Sequence, residues 1–518
     1  MKSLAVLLSC LVITASPGFG SLTPSVWGQV NLLTVSDLEI VGSTVFTAAE
    51  LRALGADVIG KEVTIGQLQS VITRINEKYQ SLGYITSRAV LSPQTIRGGV
   101  VRIDIIEGKL ERIDIQRGAS SGQKLQDDYF RSRLSFDPDK PLNFITIEEE
   151  LQKLRENPLI KDIKATLRAG SGEGLSVLQV IVTEASSFIT QISLDNYGNP
   201  NTGIWRGNLS VTEQNLTGRG DGLTVSYTRS GAANTLAGSY TLPLNPQGGT
   251  LTIQGLAGVN PIVAERFTFN LTTESRLLEL TYKQPFFHTA SAELSVSFSL
   301  ASEESRILID QALIPDGETR STVLRLGQEY RGRDGMGGWF ARSVLGFGID
   351  GLGATIRSGA PDGRFFTWGG QLLRLQKLSE DQETIGQLRL QFQYGGDSLP
   401  PLNRFGLGGP LSVRGYRQGF ITGDSGVQGT IEVELPLARN EFGRSVVKIV
   451  PFIDAGTVWN QNGNGDNQTL WGIGAGLKWQ ISPQVQFRLD YGIPLVSVER
   501  RGNSLQDEGI YFSLSGSF

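Results

Sequence analysis

The chain has 518 residues, 47 of them Lys or Arg and 51 Asp or Glu, for a formal net charge of −4. That length exceeds one ordinary domain, and that charge argues against a nucleic-acid binder, which needs a basic face. Glycine, at 64 residues, stands above its usual share of about 7%, while 39% hydrophobic and 19% charged residues exclude a disordered chain and a bundle of membrane helices.

The N-terminus reads as an export signal over residues 1–20: Lys2, an apolar run from Leu4 to Ile13, then Ala15, Ser16, Pro17, Gly18 and Gly20. The single cysteine, Cys10, lies inside that run, so the exported chain does not rely on disulfides. Leu7-Leu8-Ser9-Cys10 has the outline of a lipoprotein cleavage box, but the apolar segment ahead of it is too short. Beyond the signal no run approaches the length of a membrane helix, so a membrane-spanning form would be a closed barrel.

Residues 35–107 and 108–185 read as two small α/β modules of one design: strand, helix, helix, strand, strand. In the first, Leu38 to Gly42 is a strand, Thr47-Ala48-Ala49-Glu50 a capping box, and Thr64 opens a second helix whose Leu68, Val71, Ile72, Ile75 and Tyr79 share one face. Gly83 ends that helix, and strands follow at Arg88 to Leu91 and Val100 to Ile106. In the second, Leu110 to Ile115 is a strand, Asp127 to Leu134 a short helix, and Thr146 caps a helix running to Asn157, before strands at Ile163 to Leu167 and Val177 to Val182. Such modules hold a small core and no deep catalytic cleft, but they offer edge strands to which an extended client can add. Ser87, Arg88, Ala89, Val90 and Leu91 are the candidate client-binding edge.

From 186 to 518 long alternating strands dominate. Leu223, Val225 and Tyr227 alternate with Thr224, Ser226 and Thr228, and Leu294, Val296, Phe298 and Leu300 alternate with serines. The same holds for Leu388, Leu390, Phe392 and Tyr394, and for Val485, Phe487, Leu489 and Tyr491. A soluble sandwich also alternates, so the terminus decides: Ile510, Phe512, Leu514 and Phe518 share one face and the last residue is aromatic. Phe512, Leu514 and Phe518 are therefore the candidate barrel C-terminal signal. At roughly 20 residues per strand and connection the segment holds about 16 transmembrane antiparallel strands. Trp459, Trp471, Trp479 and Tyr491 are candidates for an interfacial girdle.

Within this region Leu411-Ser412-Val413-Arg414-Gly415-Tyr416 follows Phe405-Gly406-Leu407-Gly408-Gly409-Pro410, a run that no helix or central strand carries. Arg414 reads as a cation held at a backbone bend, and such a charge wants a fixed partner. Phe452-Ile453-Asp454-Ala455-Gly456 offers a lone carboxylate that a planar guanidinium grips bidentately.

Together these residues resemble the two-partner secretion transporters, the exporters of haemolysin and filamentous-haemagglutinin type within the outer-membrane translocases that pair POTRA domains with a barrel. Ser87-Arg88-Ala89, Ile106-Glu107-Gly108 and Asp195-Asn196-Tyr197-Gly198 are also similar to that family, and the resemblance covers about 35 to 518. It implies that the loop carrying Val413, Arg414, Gly415 and Tyr416 folds into the lumen, where Arg414 pairs with Asp454 beside Gly456. It implies that the POTRA units meet an unfolded exoprotein in the periplasm and that export needs no nucleotide. The other partners expected are outer-membrane lipid and the general export and barrel-assembly machinery. One departure is the short stretch between the signal and Val35, which leaves little room for the plug helix members often carry there.

Other motifs have plainer readings. Gly55 to Glu62 has a phosphate-loop outline, but Glu62 stands where the metal-binding hydroxyl belongs. Gly118-Ala119-Ser120-Ser121-Gly122 and Gly423-Asp424-Ser425-Gly426 match serine-hydrolase patterns that need a histidine, and the sole histidine, His288, follows Pro285-Phe286-Phe287 at a strand end. One histidine and no mature cysteine exclude the usual zinc sets. Asn460 to Asp466 reads as a hairpin loop rather than a calcium site. The expectation is a non-enzymatic outer-membrane translocase without cofactor or metal. The alternatives are an insertase for other barrels and, further off, a passive porin.

Overall fold

The computed structural model describes residues 32–518 apart from 119–123, 135–136, 263–268, 290, 360, 462–466 and 499–501. The segment read as an export signal, the stretch where a plug helix would fall, most of Gly118 to Gly122 and most of Asn460 to Asp466 lie outside the described residues. The chain divides into two units, Met1–Gly108 and Lys109–Phe518.

The first unit contains β1 (Leu33–Val35), β2 (Asp37–Val41), α1 (Ala48–Ala53), β3 (Lys61–Val63), α2 (Ile65–Ser81), β4 (Arg88–Val90) and β5 (Val100–Ile106). Both helices start at capping boxes, Thr47 with Glu50 and Thr64 with Gln67. Leu68, Val71, Ile75 and Tyr79 of α2 are buried against the sheet β2-β5-β4, and Gly83, at φ 90°, lets the chain leave the helix with Tyr84 N donating to Tyr79 O. The ribbon β1-β3 was not expected, because three-residue strands show no periodicity. At the unit's exit the Glu107 carboxylate accepts from Thr44 N and Val45 N at 2.8 and 2.9 Å and from the Thr44 and Tyr79 hydroxyls. Burial raises its pKa, but these hydrogen bonds outweigh that and hold it below the usual carboxylate range.

The second unit opens with a module of the same order: β6 (Lys109–Arg117), α3 (Asp127–Arg131), α4 (Phe144–Arg155), β7 (Ile160–Ala169) and β8 (Leu175–Glu184), with sheet order β6-β8-β7. Here the structure corrects the expected cap. Asn143 rather than Thr146 opens α4, because its side chain accepts from Ile145 N and Thr146 N, which places the Thr-x-x-Glu pattern inside the first turn. That helix ends at Arg155, before Asn157, and α3 ends at Arg131, before Leu134.

The barrel begins with β9 (Phe188–Asp195), β10 (Arg206–Glu213), β11 (Gly222–Ser230), β12 (Ala233–Pro243), β13 (Thr250–Ile262) and β14 (Leu271–His288). It continues through β15 (Ala292–Ile309), β16 (Ala312–Asp334), β17 (Gly337–Ile349), β18 (Phe365–Lys377) and β19 (Ile385–Gly395). A small hairpin, β20 (Phe405–Leu407) and β21 (Ile421–Gly423), interrupts the wall before β22 (Ser425–Arg439), β23 (Ser445–Trp459), β24 (Gln468–Gln480), β25 (Val485–Pro494) and β26 (Ile510–Ser517). Leaving out β20 and β21, the remaining 16 strands close antiparallel, β19 pairing with β22 and β26 with β9. Alternation sorts the faces: Val225, Tyr227, Leu278, Leu280, Phe298, Leu300, Leu489 and Tyr491 are exposed outward. Trp471, Trp479 and Tyr491 are exposed, whereas Trp459 is half-buried. Leu514 and Phe518 also face out, Phe512 packs on Trp205 with rings 5.3 Å apart, and Phe518 exchanges both backbone hydrogen bonds with Thr190.

Candidate functional site

Residues 396–424 join neighbouring strands β19 and β22, yet their middle is buried. The loop turns into the lumen, and the bend is built from glycines. Gly415 has φ 100°, and a Cβ there would stand 2.7 Å from Pro494 N, so neither the backbone angle nor the space admits a side chain.

Each member of the arginine motif has its own contact. Val413 is fully buried with Phe405, Leu407, Val458 and Leu470. Arg414, 2% exposed, reaches Asp454 through Nε–Oδ2 at 2.7 Å and Nη2–Oδ1 at 2.9 Å, and its backbone N donates to the same carboxylate at 3.1 Å. Its Nη1 lies 3.2 Å from Glu432 and 3.5 Å from Asp490, while its guanidinium sits 3.3 Å from the centre of the Phe452 ring. Tyr416 donates its hydroxyl to Trp471 O at 2.9 Å and accepts from Val496 N at 3.0 Å. Gly456 leaves room for Leu407, since a Cβ there would come within 2.8 Å of it.

Several partners carry no local signal in the sequence. Arg488 of β25 grips Asp490 at 2.7 and 3.0 Å and reaches Glu432 at 3.2 Å, so three buried carboxylates face two guanidiniums. Tyr511 of β26 accepts from Gly415 N at 2.9 Å and donates to Tyr416 O at 2.7 Å. Arg417 binds Asp507 at 2.6 Å, beside Gln506, which accepts from Gln418 N at 2.8 Å. Glu432, Asp454 and Asp490 come from β22, β23 and β25, and the intervening β24 presents Gly472, Gly474 and Gly476. A Cβ at Gly476 would lie 2.2 Å from Asp490 Oδ1, so β24 opens the space in which the charges meet. Inward parity of Glu432, Arg488 and Asp490 is the signal that could have found them.

The other candidate residues lie elsewhere. Arg88, Ala89 and Val90 form β4 at the edge of the first sheet. Ser87 is buried and accepts from Gly108 N at 3.0 Å, Ala89 N already donates to Asn76 at 2.7 Å, and Leu91 packs on the core. Ser425 and His288 are not brought together: Ser425 Oγ accepts from Gly395 N, and His288 bonds Glu293. Among the described residues no group of three or more His, Cys, Asp or Glu could hold a metal ion.

A closed 16-strand barrel, preceded in the chain by α/β modules and holding an inward loop on a buried ionic cluster, defines an outer-membrane transport barrel. The profile of the haemolysin secretion/activation proteins ShlB/FhaC/HecB matches residues 174–479, and that of the ShlB-type POTRA domain matches 33–108. The outer membrane transporter CdiB of Dickeya dadantii is 23% identical over 472 residues, covering 87% of this chain and 82% of that protein. Among solved structures, CdiB from Escherichia coli superposes with a TM-score of 0.69 at 22% identity, covering 96% of this chain and 93% of that one. BamA from Haemophilus ducreyi lacking POTRA domains 1–3 gives 0.59 at 15%, covering 94% and 100%. The chain belongs to the ShlB/FhaC/HecB family, the two-partner secretion transporters of the outer membrane, and its POTRA domain lies in the periplasm.

Proposed function

We propose that this transporter takes up an unfolded exoprotein through its periplasmic POTRA domain and the like-ordered second module, and exports it through the barrel without nucleotide. The observation that carries the reading is the seat of Arg414. A loop tied to four wall strands by an ionic cluster and a tyrosine occupies part of the lumen, and a client needs that space. Pairing of these buried charges sets the loop's inward position, and the channel's ability to pass a client depends on the loop leaving that seat and returning to it. The edge of β4 serves the client by main-chain pairing, with the Asn76 side chain holding the Ala89 donor until the client arrives. No chemical step is asked of the chain, so it acts as a conduit and not as an enzyme. Its biogenesis draws on the general export and barrel-assembly machinery, and its outward apolar belt meets outer-membrane lipid.

Quantitative proteomics of a deletion strain tests this. Loss of one large protein from the medium or cell surface, with other barrels unchanged, supports dedicated export and identifies the client. A broad fall in outer-membrane barrels makes the protein an insertase, and no change in either fraction leaves a passive pore.

A further inference from the structure

At the periplasmic mouth the inner wall carries an apolar floor where a water-filled lumen calls for polar groups. The chain enters the barrel from the second module at Phe188, so every even-numbered wall strand, counted from β9, ends on the periplasmic side; β14 therefore ends there at His288. Leu373 and Leu375 share a face of β18 with Gln371. Gln371 pairs with Gln391, Gln391 accepts from Gln428 at 2.9 Å, and Gln428 accepts from Ser412 of the inward loop at 2.5 Å. That face is the lumen. Phe340 of β17 stands opposite Leu373, and Gly338 stands opposite Leu375, which is left 40% exposed.

These side chains line a cavity of about 320 Å³ that also includes Glu156, the residue closing α4 in the second module. His288 connects the two parts, with Nδ1 at 3.0 Å from Glu293 and Nε2 at 3.9 Å from Glu156. Arg331 and Arg333 stand on the other flank, and the Arg331 guanidinium lies 5.9 Å from the Phe340 ring centre. Two carboxylates against two guanidiniums give the rim no preference for charge of either sign. Ser291 adds a hydroxyl that can bond a peptide backbone, whereas the Thr289 hydroxyl is taken up by Ser291 N, Ala292 N and Ala292 O.

We propose that this cavity is a client-binding subsite that receives an aliphatic or aromatic side chain of the extended polypeptide as it passes from the second module into the lumen. The assignment rests on the export reading above. Its occupant follows from place and chemistry: the cavity spans the module and the mouth, its floor is apolar and uncovered, and its rim is charge-balanced. A chain seated there leaves its backbone in the polar rim and buries a side chain on the floor.

The test uses the full-length protein in planar bilayers with two synthetic peptides of equal length, one alternating Thr and Leu, the other Thr and Ser, added from the periplasmic face. In the wild type the Thr-Leu peptide resides longer than the Thr-Ser peptide by about tenfold or more, the effect of seating a leucine side chain. In Leu373→Gln/Leu375→Gln the two residence times converge while open-channel conductance is unchanged, and Leu373→Met/Leu375→Met keeps the discrimination. Discrimination that survives the glutamine variant, or that is absent from the wild type while cellular export proceeds, overturns the subsite and leaves the export reading standing. Failure of both peptides to enter the wild-type channel overturns both.

Discussion

The carbonyl of Arg414 occupies the place where a side chain at Gly472 would begin: a Cβ there would stand 2.0 Å from it. Gly472 also faces Asp454 across the β23–β24 pair, so the strand next to the carboxylate is bare where the arginine's backbone comes to rest. The ionic contact and the steric fit are thus two conditions on one loop position, and they can be broken separately.

Gly472→Ala leaves every charge in place and removes the fit. Overpacking of this kind costs about 1–3 kcal/mol, which displaces the loop without unfolding a wall held by 16 strand pairings. Single-channel recording should show a raised conductance, with heat-modifiable mobility of the barrel unchanged. Wild-type conductance in a folded variant would contradict the close approach.

Removing the charge acts more strongly. An exposed ion pair is worth about 0–1 kcal/mol, whereas breaking a desolvated one costs about 3–5 kcal/mol. With Arg414 buried to 2% exposure the second figure applies. Arg414→Ala leaves Glu432, Asp454 and Asp490 facing Arg488 alone, so amide exchange across 408–419 should accelerate about a hundredfold or more. Arg414→Lys should recover only part of this, because an ammonium cannot meet both Asp454 oxygens and the Phe452 face together.

Tyr511→Phe keeps the ring and deletes one hydroxyl that serves Gly415 N and Tyr416 O. Leaving those two backbone groups unpaired in a buried site costs about 1–3 kcal/mol. The same exchange measurement should show faster loop opening than wild type and slower opening than Arg414→Ala.

The ionic seat was only partly legible beforehand. Arg414 and Asp454 stand out because each interrupts a local pattern, a glycine-rich run in one case and an apolar strand in the other. Glu432, Arg488 and Asp490 interrupt nothing: they are ordinary inward members of alternating strands, and they meet only because closure of the barrel sets β22 to β25 side by side. Tyr511 is one more inward member of an alternating strand, beside the apolar outward residues Phe512 and Leu514. The barrel itself was readable from alternation and the terminal Phe518, and the helices of the first module from Thr47 and Thr64. Asn143 gives no such signal, because an Asn cap without a Glu or Gln three residues on resembles any polar turn, while Thr146 with Glu149 imitates a capping box.

In the POTRA domain Glu107 gives a pH dependence whose sign is fixed. Its folded-state pKa lies below its unfolded value, so its stabilising contribution is full above the unfolded value and is lost as pH falls through the folded one. Amide exchange at Thr44 and Val45, followed in the full-length protein, should therefore accelerate as pH is lowered through the acidic range, after correction for intrinsic exchange. Glu107→Gln should flatten that profile, and an unchanged profile in the variant would assign the loss to other carboxylates.

The most direct measurement is export itself, comparing wild type, deletion and Arg414→Ala strains by quantitative proteomics of medium and outer membrane. The expected outcome is that Arg414→Ala inserts as a folded barrel at wild-type level, leaves other barrels unchanged, and loses from the medium the same large protein the deletion loses. A folded Arg414→Ala barrel that exports that protein in full would contradict it.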